Sequence, residues 1–170
     1  ITGKKVLDVG CGNAYGTALM AESASEIMGL DYDQATIDDN KSRYSSIKNL
    51  SFKRAEIPPL PFEDNSFDKV YSSLVFHQLD NLTKLKCLLE INRILKPNGE
   101  IIIGDWGKAK TKWMRFSFYL VQLLDGFKTT NDNVNGLMTK YISDAKFKEV
   151  NEIDYINTSI GTYCYYKAKK

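Results

Sequence analysis

The stretch Val6-Leu7-Asp8-Val9-Gly10-Cys11-Gly12-Asn13-Ala14-Tyr15-Gly16-Thr17 constrains this chain more than any other. An apolar run broken by one acid ends in two glycines at alternate positions, and a helix-like segment follows. That order predicts a buried strand turning sharply into a helix. Glycine has no Cβ, so the backbone can turn tightly at Gly10 and Gly12 and a ligand can lie directly on it. A tight turn with no ligand is the competing reading.

In an open α/β sheet the first strand-to-helix loop is where nucleotide-like cofactors bind. The spacing narrows the choice. A dinucleotide fingerprint needs a third glycine at the sixth position from Gly10, and that position is Tyr15. No Gly-Lys-Ser/Thr follows, so the loop is not a phosphate-cradling P-loop. Asp8, just ahead of the first glycine, would repel phosphate. An acid there suits a cationic ligand carrying an amine or a sulfonium.

Glu26-Ile27-Met28-Gly29-Leu30-Asp31-Tyr32-Asp33 reads as a second short strand ending in acids. Asp31 follows Gly12 at close to the roughly 20-residue interval at which an acid meets ribose hydroxyls in such folds. A carboxylate accepts two hydroxyl protons at once, and charge-assisted hydrogen bonds are the strong ones. Asp33, followed by Gln34-Ala35-Thr36-Ile37, is placed to cap a helix, so Asp33 caps while Asp31 binds.

Further along, strands and helices alternate, which predicts a mostly parallel sheet with helices on both faces. Ile47–Lys53 reads as the third strand and Asp68–Leu74 as the fourth. Leu82, Leu85, Leu88, Leu89 and Leu95 recur at helical spacing, predicting an amphipathic helix over Leu82–Leu95 that Pro97 stops. Asn98-Gly99 turns into a strand over Glu100–Gly104, and the last two strands are expected at Lys148–Asp154 and Gly161–Ala168. The 170 residues form one domain over 1–170, large enough for a real core. The start at Ile1 leaves room for a preceding segment and for a targeting signal within it.

Lys and Arg number 23 against 21 Asp and Glu, a net charge of +2 that is too balanced for a dedicated nucleic-acid binder. No apolar run approaches membrane-spanning length. Cys11, Cys87 and Cys164 form no CxxC pair, and with a single histidine no zinc site is recognisable. Three reduced thiols in a cytoplasmic protein are the expectation.

Four stretches in order carry a family likeness. These are Val6–Thr17, then Gly29-Leu30-Asp31, then Ala55-Glu56-Ile57-Pro58-Pro59-Leu60-Pro61-Phe62-Glu63-Asp64-Asn65-Ser66-Phe67-Asp68, then Arg93-Ile94-Leu95-Lys96-Pro97-Asn98-Gly99-Glu100. Together they resemble the class I S-adenosylmethionine (SAM) methyltransferases, most closely the type 11 group that includes ubiquinone/menaquinone-type enzymes. The resemblance implies a Rossmann-like seven-stranded sheet, order 3-2-1-4-5-7-6, with strand seven antiparallel. It implies SAM as cofactor and S-adenosylhomocysteine (SAH) as product. It also implies that Glu56 accepts the adenine amino group while the Ile57 amide meets a ring nitrogen. Two positions depart from the family pattern. Ala14 stands where a third glycine is usual, tightening the room for the cofactor, and Glu56 stands for an aspartate.

Ligands in such sheets sit outside the carboxyl ends of the strands. Asp8–Gly12, Asp31–Tyr32, Glu56–Ile57, Ser73–His77 and Asp105–Trp106 are therefore expected around one cleft. Asp8, Gly10, Gly12, Asp31, Tyr32, Glu56, Ile57 and Ser73 are the candidate cofactor residues, with Tyr32 and Ile57 flanking the adenine. His77, the only histidine, is the candidate for lining the acceptor pocket or taking a proton. The sulfonium is an activated methyl donor, so transfer needs chiefly positioning and desolvation and no metal.

The Asp/Asn-Pro-Pro-aromatic motif and the Pro-Cys nucleophile of nucleic-acid methylating enzymes are absent. A small-molecule or lipid-like acceptor is expected, with no nucleic acid. Trp113, Phe116, Leu120, Leu123 and Phe127 make one apolar stripe on the segment after strand five, while Met114, Phe118 and Val121 lie off it. A helix apolar on more than one side wants cover from an acceptor, a subunit, a preceding segment or peripheral contact with a membrane. Lys108, Lys110, Lys112 and Arg115 near its start suit an anionic headgroup or a solvated rim. A noncatalytic SAM- or nucleotide-binding module and a Rossmann-type oxidoreductase stay open as other readings.

Overall fold

The computed structural model describes the backbone throughout residues 1–170, and every side chain except those of Leu120, Val121, Leu124, Asp125, Phe127, Lys128 and Thr129. Strands β1 (Lys5–Val9), β2 (Glu26–Asp31), β3 (Leu50–Arg54), β4 (Phe67–Ser73), β5 (Leu95–Trp106), β6 (Lys148–Asn157) and β7 (Thr162–Lys169) form one sheet. Its order is β3-β2-β1-β4-β5-β7-β6. The pairings among β1 to β5 are parallel, and β7 runs antiparallel to both neighbours.

The pleat sorts the strand residues by face. Leu7, Val9, Val70, Ile101, Ile103, Tyr166 and Ala168 pack against helices α3 (Asn81–Ile94) and α6 (Met138–Asp144), through Cys87, Leu88, Ile91, Ile94, Met138 and Ile142. On the opposite face Val6 and Ile27 pack on Ala21 of α1 (Tyr15–Ala21), and Phe52 packs on Ile37 of α2 (Gln34–Arg43). Asp33 caps α2 by accepting from the Thr36 hydroxyl at 2.7 Å and the Thr36 amide at 2.9 Å, and these bonds hold its carboxyl below the ordinary value.

Several expectations shift. The third strand begins at Leu50, because Ile47 donates to the Tyr44 carbonyl and continues the turn that ends α2. The fifth begins at Leu95, directly after α3. Leu95 pairs with Phe67, and the ladder then slips so that Glu100 pairs with Lys69, with Asn98 in the left-handed region at φ 62. Leu82 and Leu89 are exposed, and Lys84 takes a place on the buried face instead. Its ammonium faces Asp132 at 3.6 Å, and Asp132 also accepts from the Tyr141 hydroxyl at 2.9 Å.

Helix α4 (Lys112–Asp125) is two-sided. Phe118 packs inward with Val134 and Trp106, whereas Trp113, Phe116, Tyr119 and Leu123 face solvent, Trp113 at 72% exposure. The Leu120, Val121 and Phe127 side chains lie outside the described residues. No described helix is long and apolar enough to cross a membrane. Cys11, Cys87 and Cys164 are free thiols, and burial pushes them up to about 12, 12 and 11.

Candidate active site

At the carboxyl end of β1 the chain turns through Gly10 at φ 75 and Gly12 at φ 49, backbone conformations that disfavour any residue with a Cβ. The amides of Gly10 and Cys11 both donate to the Leu30 carbonyl at 2.8 Å, which clamps the loop to β2. A Cβ on Gly10 would fall 2.2 Å from Val75 Cγ2, so glycine also admits the segment after β4. Around Gly12 nothing stands within 4 Å of a built Cβ, and this side of the loop opens into a cavity.

Asp31 is held from two sides. Its Oδ2 accepts from the Gly12 amide at 3.0 Å and its Oδ1 from the Asp33 amide at 3.1 Å. A carboxylate offers about four lone-pair sites, so two remain for a ligand. Asp8 is buried, accepts from the Thr17 hydroxyl at 2.5 Å, and is pushed up to about 7, first by burial and further by the nearby Asp31 charge. Glu56 stands at the rim, where one carboxylate oxygen pairs with Arg54 at 2.9 Å. Arg54 also donates to the Tyr32 carbonyl at 3.0 Å, so a single guanidinium ties the second and third candidate segments together.

The cavity measures about 920 Å³, at the upper end for small-ligand sites. Asp8, Gly10, Gly12, Asp31, Tyr32, Glu56, Ile57 and Ser73 all line it. It also takes in residues that sequence reasoning missed, among them Asn13, Thr36, Tyr71, Gln78 and Leu79. Tyr71 had a usable signal, since it sits two residues before Ser73 on one strand and therefore on the same face. Four carboxyl side chains line the cavity (Asp8, Asp31, Asp33 and Glu56), and among the described lining residues none is Lys, Arg or His.

His77, Asp105 and Trp106, expected around the cleft, do not line the cavity. His77 lies in a short 3₁₀ turn, Phe76–Gln78, and is buried away from the cavity lining. Asp105 lies on the sheet face opposite Asp8, because it alternates in register with Gly104, the partner of Ser73. There it accepts from the His77 amide at 3.0 Å and the Trp106 amide at 2.7 Å, and pairs with His77 Nδ1 at 2.7 Å. Trp106 packs between Phe118 and Tyr163. Ala14 is fully buried against Ile37 and Phe52 at φ 56, so its methyl points into the core rather than narrowing the cavity.

The family model described as "Methyltransferase domain" matches residues 7–103. A demethylmenaquinone methyltransferase from Staphylococcus epidermidis is 34% identical over 103 residues, which is 59% of this chain and 42% of that protein. One from Staphylococcus haemolyticus is 35% identical over the same share of each chain. The chain thus spans under half the length of these curated relatives.

Among solved structures, a SAM-dependent methyltransferase from Methanosarcina mazei superposes with a TM-score of 0.77 at 18% identity, over 100% of this chain and 93% of that one. A putative methyltransferase from Bacillus halodurans gives 0.79 at 14% identity, over 100% and 94%. The [4+2]-cyclase SpnF gives 0.75 at 17% identity, over 99% and 75%, so the fold by itself does not choose the reaction.

Proposed function

The chain belongs to the methyltransferase-domain family, and from that premise we propose that it binds SAM and transfers its methyl group to a small-molecule or lipid-like acceptor. The observation that carries this reading is a ligand-sized cavity lined by four carboxyl groups and by no Lys, Arg or His among the described residues. Phosphate-bearing cofactors would enter a lining that is acidic on balance and offers no basic side chain, which disfavours NAD(P) and a Rossmann-type oxidoreductase. A ligand carrying an amine and a sulfonium, with a ribose diol to donate hydrogen bonds, matches that lining.

The two open lone-pair sites of Asp31 accept the ribose hydroxyls. Gly10 and Gly12 let the ligand lie against backbone, with Asp8 behind them toward its cationic end. Tyr32 and Ile57 flank the adenine, while the Glu56 carboxylate and the Ile57 amide meet its polar edge, as the family likeness implies. Ser73, at the carboxyl end of β4, lines the cavity with Leu74, Val75 and Leu79.

When bound, the sulfonium supplies an activated methyl group and departs as the neutral thioether of SAH. The chain's part is to align the acceptor nucleophile behind the methyl carbon and to exclude water. His77 positions rather than touches the reactants. Tied to Asp105 by both backbone and ring, it fixes the turn whose next two residues, Gln78 and Leu79, line the cavity.

The apolar wall of Leu74, Val75 and Leu79 supports an acceptor with an apolar body. So do the exposed Trp113, Phe116, Tyr119 and Leu123 on α4, flanked by Lys112 and Arg115 in a pattern that suits contact with lipid headgroups. The quinone substrate class in the relatives' names points the same way.

The test is calorimetry with SAM, SAH and NADP, followed by transfer of labelled methyl from SAM to quinol, lipid and polar amine acceptors. The expected result is binding of SAM and SAH but not NADP, with label on the apolar acceptors. NADP binding in place of SAM overturns the cofactor assignment, and labelling of polar amines alone overturns the acceptor class.

A further inference from the structure

The sheet face that carries Asp8 continues past the glycine loop into a group of hydroxyls, one of them on the candidate cofactor residue Ser73. Asp8 pairs with Tyr71 across β1 and β4, and Ser73 lies two residues on, beside Gly104 of β5. On β7, Tyr165 stands opposite Gly104 and Tyr163 opposite Trp106. The missing side chain of Gly104 is what lets the group form. A Cβ there would fall 2.0 Å from the Tyr163 hydroxyl, so the Tyr163 ring lies across β5 and its oxygen reaches Ser73 Oγ at 2.7 Å. Tyr71, two residues before Ser73 on the same face of β4, brings a third hydroxyl to their side. Strands 90 residues apart in sequence thus meet in one polar cluster.

Two properties define what this cluster can recognise. Burial pushes both phenols above their ordinary value, so at neutral pH the three hydroxyls are protonated and none serves as a base. In the Ser73–Tyr163 link one hydroxyl donates, and the accepting one keeps its own proton to donate in turn, strengthened by the link behind it. Flat aromatic surfaces stand beside it. Tyr163 and Tyr165 meet edge to face at 5.0 Å, and Trp106 meets Tyr163 at 6.3 Å. Tyr71 and Ser73, on β4, carry the cluster to the wall of the cavity, and β1 and β2 separate them from β3, which Glu56 follows.

We propose that Tyr163, acting with Tyr71 and Ser73, forms the acceptor subsite, in which a hydroxyl donates to an oxygen of an aromatic acceptor such as a phenol or quinol. Tyr163 is the residue that sets this preference, and it lies outside the stretch that the family model matches. The assignment rests on the SAM reading above, since it places the acceptor oxygen next to the methyl donor.

The test uses the chain saturated with SAH and compares the binding of 2-naphthol with that of naphthalene by equilibrium dialysis. Wild type should hold naphthol at least about fivefold more tightly, the worth of one ordinary hydrogen bond. Tyr163→Phe should erase that difference while leaving SAH affinity within about twofold. Gly104→Ala, which pushes the same hydroxyl off Ser73, should erase it too. Equal binding of the two compounds by wild type, or a preference that survives in Tyr163→Phe, overturns the subsite. A wild-type chain that fails to bind SAH is visible before either probe is added, and it overturns the cofactor reading instead.

Discussion

His77 and Asp105 are joined twice: the His77 amide donates to Asp105 Oδ2 at 3.0 Å, and Nδ1 of its ring lies 2.7 Å from Oδ1. The pair is buried on the sheet face opposite Asp8. A histidine held by backbone and ring together fixes the course of the chain between β4 and α3, and that segment forms one wall of the cavity.

A positioning role for His77 gives a defined mutant pattern. His77→Gln should lower the free energy of unfolding by about 1–3 kcal/mol, the cost of leaving a buried acceptor short of a partner. It should move the acceptor KM and leave the pH profile of kcat unchanged. Urea denaturation and a pH–rate series check both. A fall in kcat on the order of 10²-fold with a lost limb of the profile would show that the ring moves a proton.

The proposed role of Asp31 predicts a measurable loss of ligand affinity when its carboxylate is removed. Asp31→Ala should weaken SAM binding by about 1.5–3 kcal/mol, the typical worth of hydrogen bonds to a charged group. The same change frees the Gly12 and Asp33 amides that now point at its oxygens. Calorimetry on a variant of native fold measures the loss, and unchanged affinity would remove Asp31 from the site.

What was readable in advance is what local chemistry decides. The β1 loop shows itself through glycine spacing, the α2 cap through an Asp three residues before Thr36, and the sheet order through a family likeness carried by four stretches. Long-range pairings left no such trace. Nothing near Tyr163 in sequence says that it will cross Gly104 to reach Ser73, and nothing near Lys84 says that Asp132 will meet it under α3. The leucine pattern of α3 misled for a related reason. Leu82 and Leu89 fit the helical period, yet the buried face is set by the sheet contact through Cys87, Leu88, Ile91 and Ile94. The start of β5 was hidden because Pro97 reads as a stop, whereas here it lies in an irregular stretch where the ladder slips.

Ala14 stands where the family usually has glycine, and its conformation sets two opposed terms. A left-handed residue with a Cβ costs roughly 1–2 kcal/mol. Ala14→Gly would relieve that, but it gives up a buried methyl worth about 1 kcal/mol and adds backbone freedom to the unfolded chain worth about 0.5–1 kcal/mol. The expected net change is therefore within about 1 kcal/mol. Since the methyl faces Ile37 and Phe52, SAM affinity should not move. Denaturation and calorimetry on Ala14→Gly test this, and a clear gain in SAM affinity would place the methyl in the cavity after all.

Asp8 links the site to pH. Its folded-state value of about 7 lies above the ordinary 3.8, so between these values the folded chain holds a proton that the unfolded chain has released. Stability from this group therefore falls as pH rises from about 4 to about 7 and is level above that. The shift of about three units corresponds to a penalty on the order of 4 kcal/mol. Asp8→Asn keeps an oxygen for the Thr17 hydroxyl and cannot ionise, so its unfolding free energy should lack this slope and exceed that of wild type at pH 8. The proposed SAM pose, with the cationic end toward Asp8, reverses the preference. A cation near Asp8 favours the carboxylate, so SAM affinity of wild type should rise as pH increases through about 7, with a proton released on binding. In Asp8→Asn the affinity should be flat over the same range. Denaturation and calorimetry at a series of pH values in two buffers of different ionisation enthalpy measure both effects. A wild-type chain whose stability and SAM affinity both stay level from pH 5 to 8 would show that Asp8 does not titrate in that range.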